Sequence, residues 1–157
     1  MESSSDQVVI FSTTQLCIER TCKFLNSLAY DSRYIHGGVS TEDRKNILDD
    51  FDNGKFRVLV ISFGVGGVSL NLSSASIGIF MDLPWTPMVL QQAQDRLHRI
   101  GQKRNVQIIK LQSVGTIDER IEDLLVHRLQ YEEEIFRSLS FVDLKRLVRG
   151  DKHHENN

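Results

Sequence analysis

The sequence predicts an α/β domain in which a parallel sheet is covered on both faces by helices. Two observations carry that prediction. Strand-like and helix-like segments alternate along the chain, and the strand segments are continuous apolar runs, as in strands buried on both sides. After Gly115 the texture changes to a long charged helix, so a helical extension is expected behind the sheet domain. This divides the chain into a domain over 7–115 and an extension over 116–149. Polar tails at 1–6 and 150–157 are expected to be disordered.

Gln7–Ser12 (QVVIFS) reads as a buried strand, followed by a helix from near Thr14 to about Leu28. Ser32–His36 is a second strand, and Thr41–Phe51 a helix capped by Ser40 or Thr41. Arg57–Ser62 (RVLVIS) is a strongly β-branched strand, and Ile77–Leu83 another. A helix over about Thr86–Ile100 carries Pro87 in its first turn, where proline is tolerated. Val106–Leu111 is the last strand. In the helix over Thr116–Leu139, Ile117, Ile121, Leu124, Leu125 and Leu129 are expected on the buried side and Glu132, Glu133 and Glu134 on a solvated face. A short amphipathic piece, Phe141–Val148, follows.

At 157 residues with 40% hydrophobic content the chain can bury a core, which sets it apart from disordered or fibrous sequences. A net charge of −2 excludes a generic polyanion binder. Nucleic-acid contact would have to come from local patches such as Arg96, Arg99, Lys103 and Arg104, or Lys145, Arg146 and Arg149. No apolar run approaches the roughly 20 residues of a membrane span, and Met1–Asp6 lacks signal-peptide features, so an intracellular protein with no membrane partner is expected. Cys17 and Cys22 lack zinc-site spacing and read as reduced thiols. His153 and His154 read as a frayed terminus, so no metal site is expected in this chain.

The most informative stretch is QQAQDRLHRIGQ, Gln91–Gln102. On a helix Gln92, Arg96 and Arg99 fall at i, i+4 and i+7 and share one face. Val89, Ala93, Leu97 and Ile100 form an adjacent apolar stripe that can pack on the sheet. Two permanently charged forks aimed the same way suit the spread negative charge of a transferring γ-phosphoryl group.

Functional loops are expected at the carboxyl ends of the parallel strands. Ser12-Thr13-Thr14 sets three hydroxyls at a strand-to-helix junction, suited equally to holding a phosphate or to capping the helix. His36-Gly37-Gly38 lets the backbone pass close to a ligand, and Arg44 is placed to brace that loop or meet a phosphate. The glycine-rich loop from Ser62 to Leu72 has no Lys-Ser or Lys-Thr, so it is not a P-loop, and no acidic pair ends a strand to hold magnesium. The chain therefore cannot cradle ATP in the usual way by itself. Trp85, the only tryptophan, sits in a proline-flanked turn where it can stack on a nucleotide or pack half-buried.

From about Val8 to Leu129 the sequence resembles the C-terminal motor lobe of Swi/Snf-type DNA-translocating ATPases, in helicase superfamily two. QAQDRLHRIGQ is the most specific part, supported by VGGVSLNL, DLPWTP and GTIDERI. The resemblance implies a RecA-like lobe over 7–115 and a brace helix against a separate N-terminal RecA-like lobe. That first lobe would carry the P-loop and hold ATP with Mg2+. The implied function is half of an ATP-driven double-stranded DNA translocase, acting on nucleosomes or other protein–DNA complexes, with no autonomous ATPase activity. Arg96 and Arg99 match its arginine fingers. The implied ATP-binding set is Gly66, Gly67, Gln92, Arg96 and Arg99, and the DNA-binding set is Ser12, Thr13, Gly37, Gly38, Ser62 and Trp85. The implied compartment is the nucleus in a eukaryote and otherwise the cytoplasm.

The sequence departs from the family pattern at several points. Phe63, Val65 and Ser69 replace Thr, Ala and Gly in the glycine-rich loop; His36 stands where Asp is common, Val39 where Thr is, and Thr86 where Asn is. The lost threonine hydroxyl and the bulkier Val65 would weaken a phosphate contact. A second reading stays open at this point: a free-standing, non-catalytic module that binds DNA or a partner motor.

Overall fold

The computed structural model describes residues 6–65, 70, 72–99, 102 and 104–138, of which 132–138 by their backbone alone. The elements are β1 (Gln7–Ser12), α1 (Gln15–Ser27), β2 (Ser32–Ile35), α2 (Thr41–Asp52), β3 (Val58–Ser62), β4 (Ala75–Phe80), α3 (Pro87–Leu97), β5 (Gln107–Lys110) and α4 (Ile117–Ser138). Expectations for both tails, Phe141–Val148, Gly66, Gly67, Ser69, Lys103 and the patch at Lys145, Arg146 and Arg149 fall outside the described residues, apart from Asp6.

The five strands are parallel and lie in the order β2-β3-β1-β4-β5. Side chains alternate along a strand, so Val9 and Phe11 enter one layer while Val8 and Ile10 enter the other. α1 covers the second layer through Ile18 and Cys22. The first layer is larger and takes Phe51 from α2, Leu90, Ala93 and Leu97 from α3, and Ile121 and Leu125 from α4. Each Ile, Leu or Phe side chain among these contributes about 1.5–3 kcal/mol on full burial, which is what holds helices to both faces. At the middle of the larger layer Phe11, Phe63 and Phe80 form a trio with ring centroids 5.2–5.4 Å apart. This is the RecA-like α/β arrangement. Both cysteines are free thiols, Cys22 buried against Ser32. No helix among the described residues is long and apolar enough to cross a membrane.

Three expectations need correction. β4 pairs over Ala75–Phe80 rather than Ile77–Leu83, because Asp82 turns out of the sheet to bond the loop after β1. α3 ends at Leu97 rather than Ile100, because its last carbonyls are taken by tertiary donors. The Leu72 N–H donates to the Arg96 carbonyl at 3.2 Å, and Gln102 Nε2 reaches toward that of Leu97. Arg99 thus lies past the helix end and does not share a helix face with Gln92 and Arg96. The buried side of α4 is also narrower than its periodicity implies. Ile121 and Leu125 are buried, whereas Ile117, Leu124 and Leu129 are about half exposed. A helix of 22 residues runs about 33 Å, and its contact with the core, beside α3, is through Ile121 and Leu125.

Candidate functional site

All five strands point the same way, so the loops after β1, β2, β3 and β4 meet at one edge. The first loop is tied to the last. The Ser12 hydroxyl, fully buried, donates to Asp82 Oδ2 at 2.6 Å, and the Thr13 N–H donates to Asp82 Oδ1 at 2.7 Å. Both bonds reach a carboxylate, which makes them the stronger kind. Ser12 therefore faces inward, away from any ligand at this edge, and Thr13 and Thr14 carry the exposed hydroxyls. Thr14 holds the N-cap position of α1 but makes no side-chain cap bond. Three residues beyond Asp82, the Trp85 side chain is 60% exposed rather than packed. Its carbonyl accepts from Arg128 Nη1 of α4 at 3.3 Å.

The loop after β2 is built on His36. Its ring is buried, stacked on Tyr34 with centroids 5.2 Å apart. Nδ1 accepts from the Gly38 N–H at 3.0 Å, so Nε2 carries the proton shared with Glu19 Oε1 at 3.0 Å. A Cβ at Gly38 would lie 3.0 Å from His36 Cε1, so a side chain there would crowd the ring. Gly37 is exposed beside it. Ser40 caps α2 by accepting from the Asp43 N–H at 3.1 Å, and Arg44 braces the loop by donating to the Val39 carbonyl at 3.3 Å.

The loop after β3 carries the third group. Ser62 shapes it, its carbonyl accepting from the Val65 N–H at 3.2 Å and its Oγ from the Gly64 N–H at 3.3 Å. Phe63 and Val65 turn into the core. The Val65 carbonyl faces α3 and accepts from Arg96 Nη1 at 3.0 Å. Arg96 is half-buried, and burial pulls its proton affinity below the ordinary arginine value, yet a guanidinium stays charged at neutral pH. Its remaining N–H groups suit an anion. Gln92 and Arg99 are exposed.

The structure thus joins Ser62 to Arg96 through Val65, joins Ser12 and Thr13 to the Trp85 turn through Asp82, and folds Gly37 and Gly38 over His36. Four residues of this framework carried no role in the sequence reading: Asp82, Glu19, Arg128 and Gln102. Asp82 had a signal, an acidic residue closing a buried strand, but its partners lie 69 and 70 residues away. Among the described residues, no group of three or more His, Cys, Asp or Glu is placed to hold a metal ion.

Comparison with known proteins fits this geometry. The family model for the helicase conserved C-terminal domain matches residues 1–101. The chain is 32% identical over 155 residues to transcription termination factor 2 of Drosophila melanogaster, covering 94% of this chain and 15% of that protein. It is 30% identical over 136 residues to the chromatin-remodeling ATPase INO80 of Saccharomyces cerevisiae, covering 86% of this chain and 9% of that one. The chain therefore spans a small fraction of these relatives. The crystal structure of the C-terminal part of the Fun30 ATPase domain superposes with a TM-score of 0.71 at 29% identity, covering 76% of this chain and 39% of that one.

Proposed function

Because this chain belongs to the helicase conserved C-terminal domain family, in its Swi/Snf-type branch, we propose that it is the second half of an ATP-driven double-stranded DNA translocase. Its ATP site is completed by an N-terminal RecA-like lobe, and its track is DNA in nucleosomes or other protein–DNA complexes. The observation that carries the proposal is Arg96, a half-buried cation held by the Val65 carbonyl at the edge where the strand-end loops meet.

ATP is the substrate, held chiefly by the first lobe together with Mg2+, which would screen the phosphate charge there. When the lobes close, Arg96 and Arg99 meet the γ-phosphoryl group and stabilise its charge in the transition state, a contribution of about 10³–10⁵ in rate for arginine fingers. Gln92, Gly66 and Gly67 complete the proposed ATP-binding set. Thr13, Gly37, Gly38 and Trp85 contact DNA, while Ser12 and Ser62 shape the loops that do so. Phosphate and stacking contacts carry no base preference, as a motor that steps along any sequence needs. α4 serves as a brace against the first lobe, a role supported by its exposed Ile117, Leu124, Val126, Leu129 and Tyr131. The lobe spans 7–115 and the brace 116–149. The reading implies the nucleus in a eukaryote and the cytoplasm otherwise.

The test joins the chain, covalently or in trans, to an N-terminal lobe bearing a P-loop and follows ATP hydrolysis with and without duplex DNA. DNA-stimulated turnover that falls at least 10³-fold in Arg96→Ala or Arg99→Ala is the expected result. DNA binding with no turnover in the native pairing would favour a non-catalytic module instead. Turnover by this chain alone would overturn the half-site reading.

A further inference from the structure

We propose that Gln102 is the positioning residue that sets both fingers, acting as a clip between the end of α3 and the segment leading into β4. The proposal rests on the finger reading above. Its Nε2 donates to the Ser73 carbonyl at 2.9 Å and the Ala75 carbonyl at 2.8 Å, and lies 3.5 Å from that of Leu97. An amide has two N–H groups, so Ser73 and Ala75 take both and Leu97 is a marginal third contact. Gln102 Oε1 accepts from the Arg104 N–H at 3.0 Å. The side chain is fully used.

Its main chain completes the clip. The Gln102 N–H donates to the Arg99 carbonyl at 3.0 Å, the Leu72 N–H to the Arg96 carbonyl at 3.2 Å, and the Ala75 N–H to the Leu72 carbonyl at 3.0 Å. Arg96 is thereby tied to the segment at 72–75 through Leu72, and Arg99 is tied to it through Gln102. Arg99 lies beyond the last turn of α3, so its place depends on bonds outside the helix, the turn bond to Gln102 and the Gln102 clip among them. The chemistry demands this side chain. Asparagine is one methylene short of the same carbonyls. Glutamate keeps the acceptor for Arg104 but turns a carboxylate against two carbonyl oxygens.

The experiment uses the chain joined to a P-loop-bearing N-terminal lobe, in the native form and as Gln102→Glu. Gln102→Met, of similar length and uncharged, replaces the glutamate variant if that does not fold. The readouts are kcat and KM for ATP, binding of ADP with and without aluminium fluoride, and melting temperature. A misplaced finger is expected to lower kcat and kcat/KM together by about 10²-fold, with KM and ADP affinity unchanged. Binding of the transition-state mimic should weaken in proportion. A melting temperature that falls while kcat and mimic binding stay native would mean a merely structural role, and would overturn the proposal. Arg96→Ala and Arg99→Ala run alongside. If they are silent, the finger reading and the clip fall together; if they collapse turnover and the Gln102 variants do not, the clip alone falls.

Discussion

Gly78 lies in β4 directly beneath α3, and adding one methyl there tests how tightly the arginine-bearing helix is seated. A Cβ at Gly78 would sit 2.5 Å from Leu97 Cδ1, against an ordinary carbon–carbon contact of about 3.5–4.0 Å. Leu97 is fully buried and is the last residue of α3, so any shift of its side chain is taken up by packed neighbours. That side chain or the last turn must give by about 1 Å. Overpacking of this kind costs about 1–3 kcal/mol. Replacing glycine also restricts the unfolded chain, which works the other way by about 0.4–1 kcal/mol, so the overlap wins. Gly78→Ala should destabilise the chain in urea unfolding followed by circular dichroism. The sharper test is the double variant. Leu97→Ala alone should cost about 2–5 kcal/mol, but Gly78→Ala on that background meets no Cδ1 and part-fills the space. The pair should therefore be less damaging than the sum by about 0.5–3 kcal/mol. Additivity within about 0.5 kcal/mol would refute the packing argument.

Phe63→Thr, which restores the residue common in the family, should cost about 3–5 kcal/mol by urea unfolding, because it removes a ring from the buried Phe11–Phe63–Phe80 trio. Lys55 and then Arg33, each 2.6 Å from Asp50, hold its carboxyl below the usual carboxylate range. A depressed folded value means that this stabilisation is complete above about pH 4 and is lost as pH falls through the lower folded value. Asp50→Asn should accordingly flatten the acid limb of a stability–pH profile, and an unchanged limb would count against the ion pairs. Duplex DNA should change the emission of Trp85, the only tryptophan, and Trp85→Ala should weaken DNA binding by about 1–3 kcal/mol. Emission that stays constant through saturation would remove Trp85 from the interface.

The order and type of the elements were legible because local signals agreed. β-branched runs marked β1 and β3, Ser40 marked the start of α2, and Pro87 marked that of α3. What failed was set by distant partners. The apolar stripe of α3 continues on paper to Ile100, but Leu72 and Gln102 reach the carbonyls at its end, and no helical period encodes a donor from another loop. The Ser12 hydroxyl suits a phosphate or a helix cap equally in the sequence, and its partner in the fold is Asp82, placed by the turn after β4. For α4 the periodicity gave the correct face but not how much of its length meets the core. The strand order was likewise beyond local patterning, since it depends on which runs pair across loops of any length.

The departures from the family pattern take on a different meaning once their surroundings are known. Read along the sequence, Phe63, Val65 and His36 look like damage at a phosphate site: a hydroxyl lost, bulk added and an aspartate replaced. In the fold, Phe63 has exchanged a hydroxyl for a place in the aromatic trio, and His36 holds its loop through Glu19 and the Gly38 N–H. Val65 meets Arg96 through its backbone carbonyl, a contact that any residue at that position could make. A site drifting without constraint would leave such replacements exposed or unpaired, with buried polar atoms lacking partners. Phe63, Val65 and His36 are each packed or hydrogen-bonded, and the one that touches the proposed finger does so through an atom the substitution did not alter. These three departures therefore remodel the support of the site, and they leave the proposed chemistry of Arg96 and Arg99 as the part that mutation should reach first.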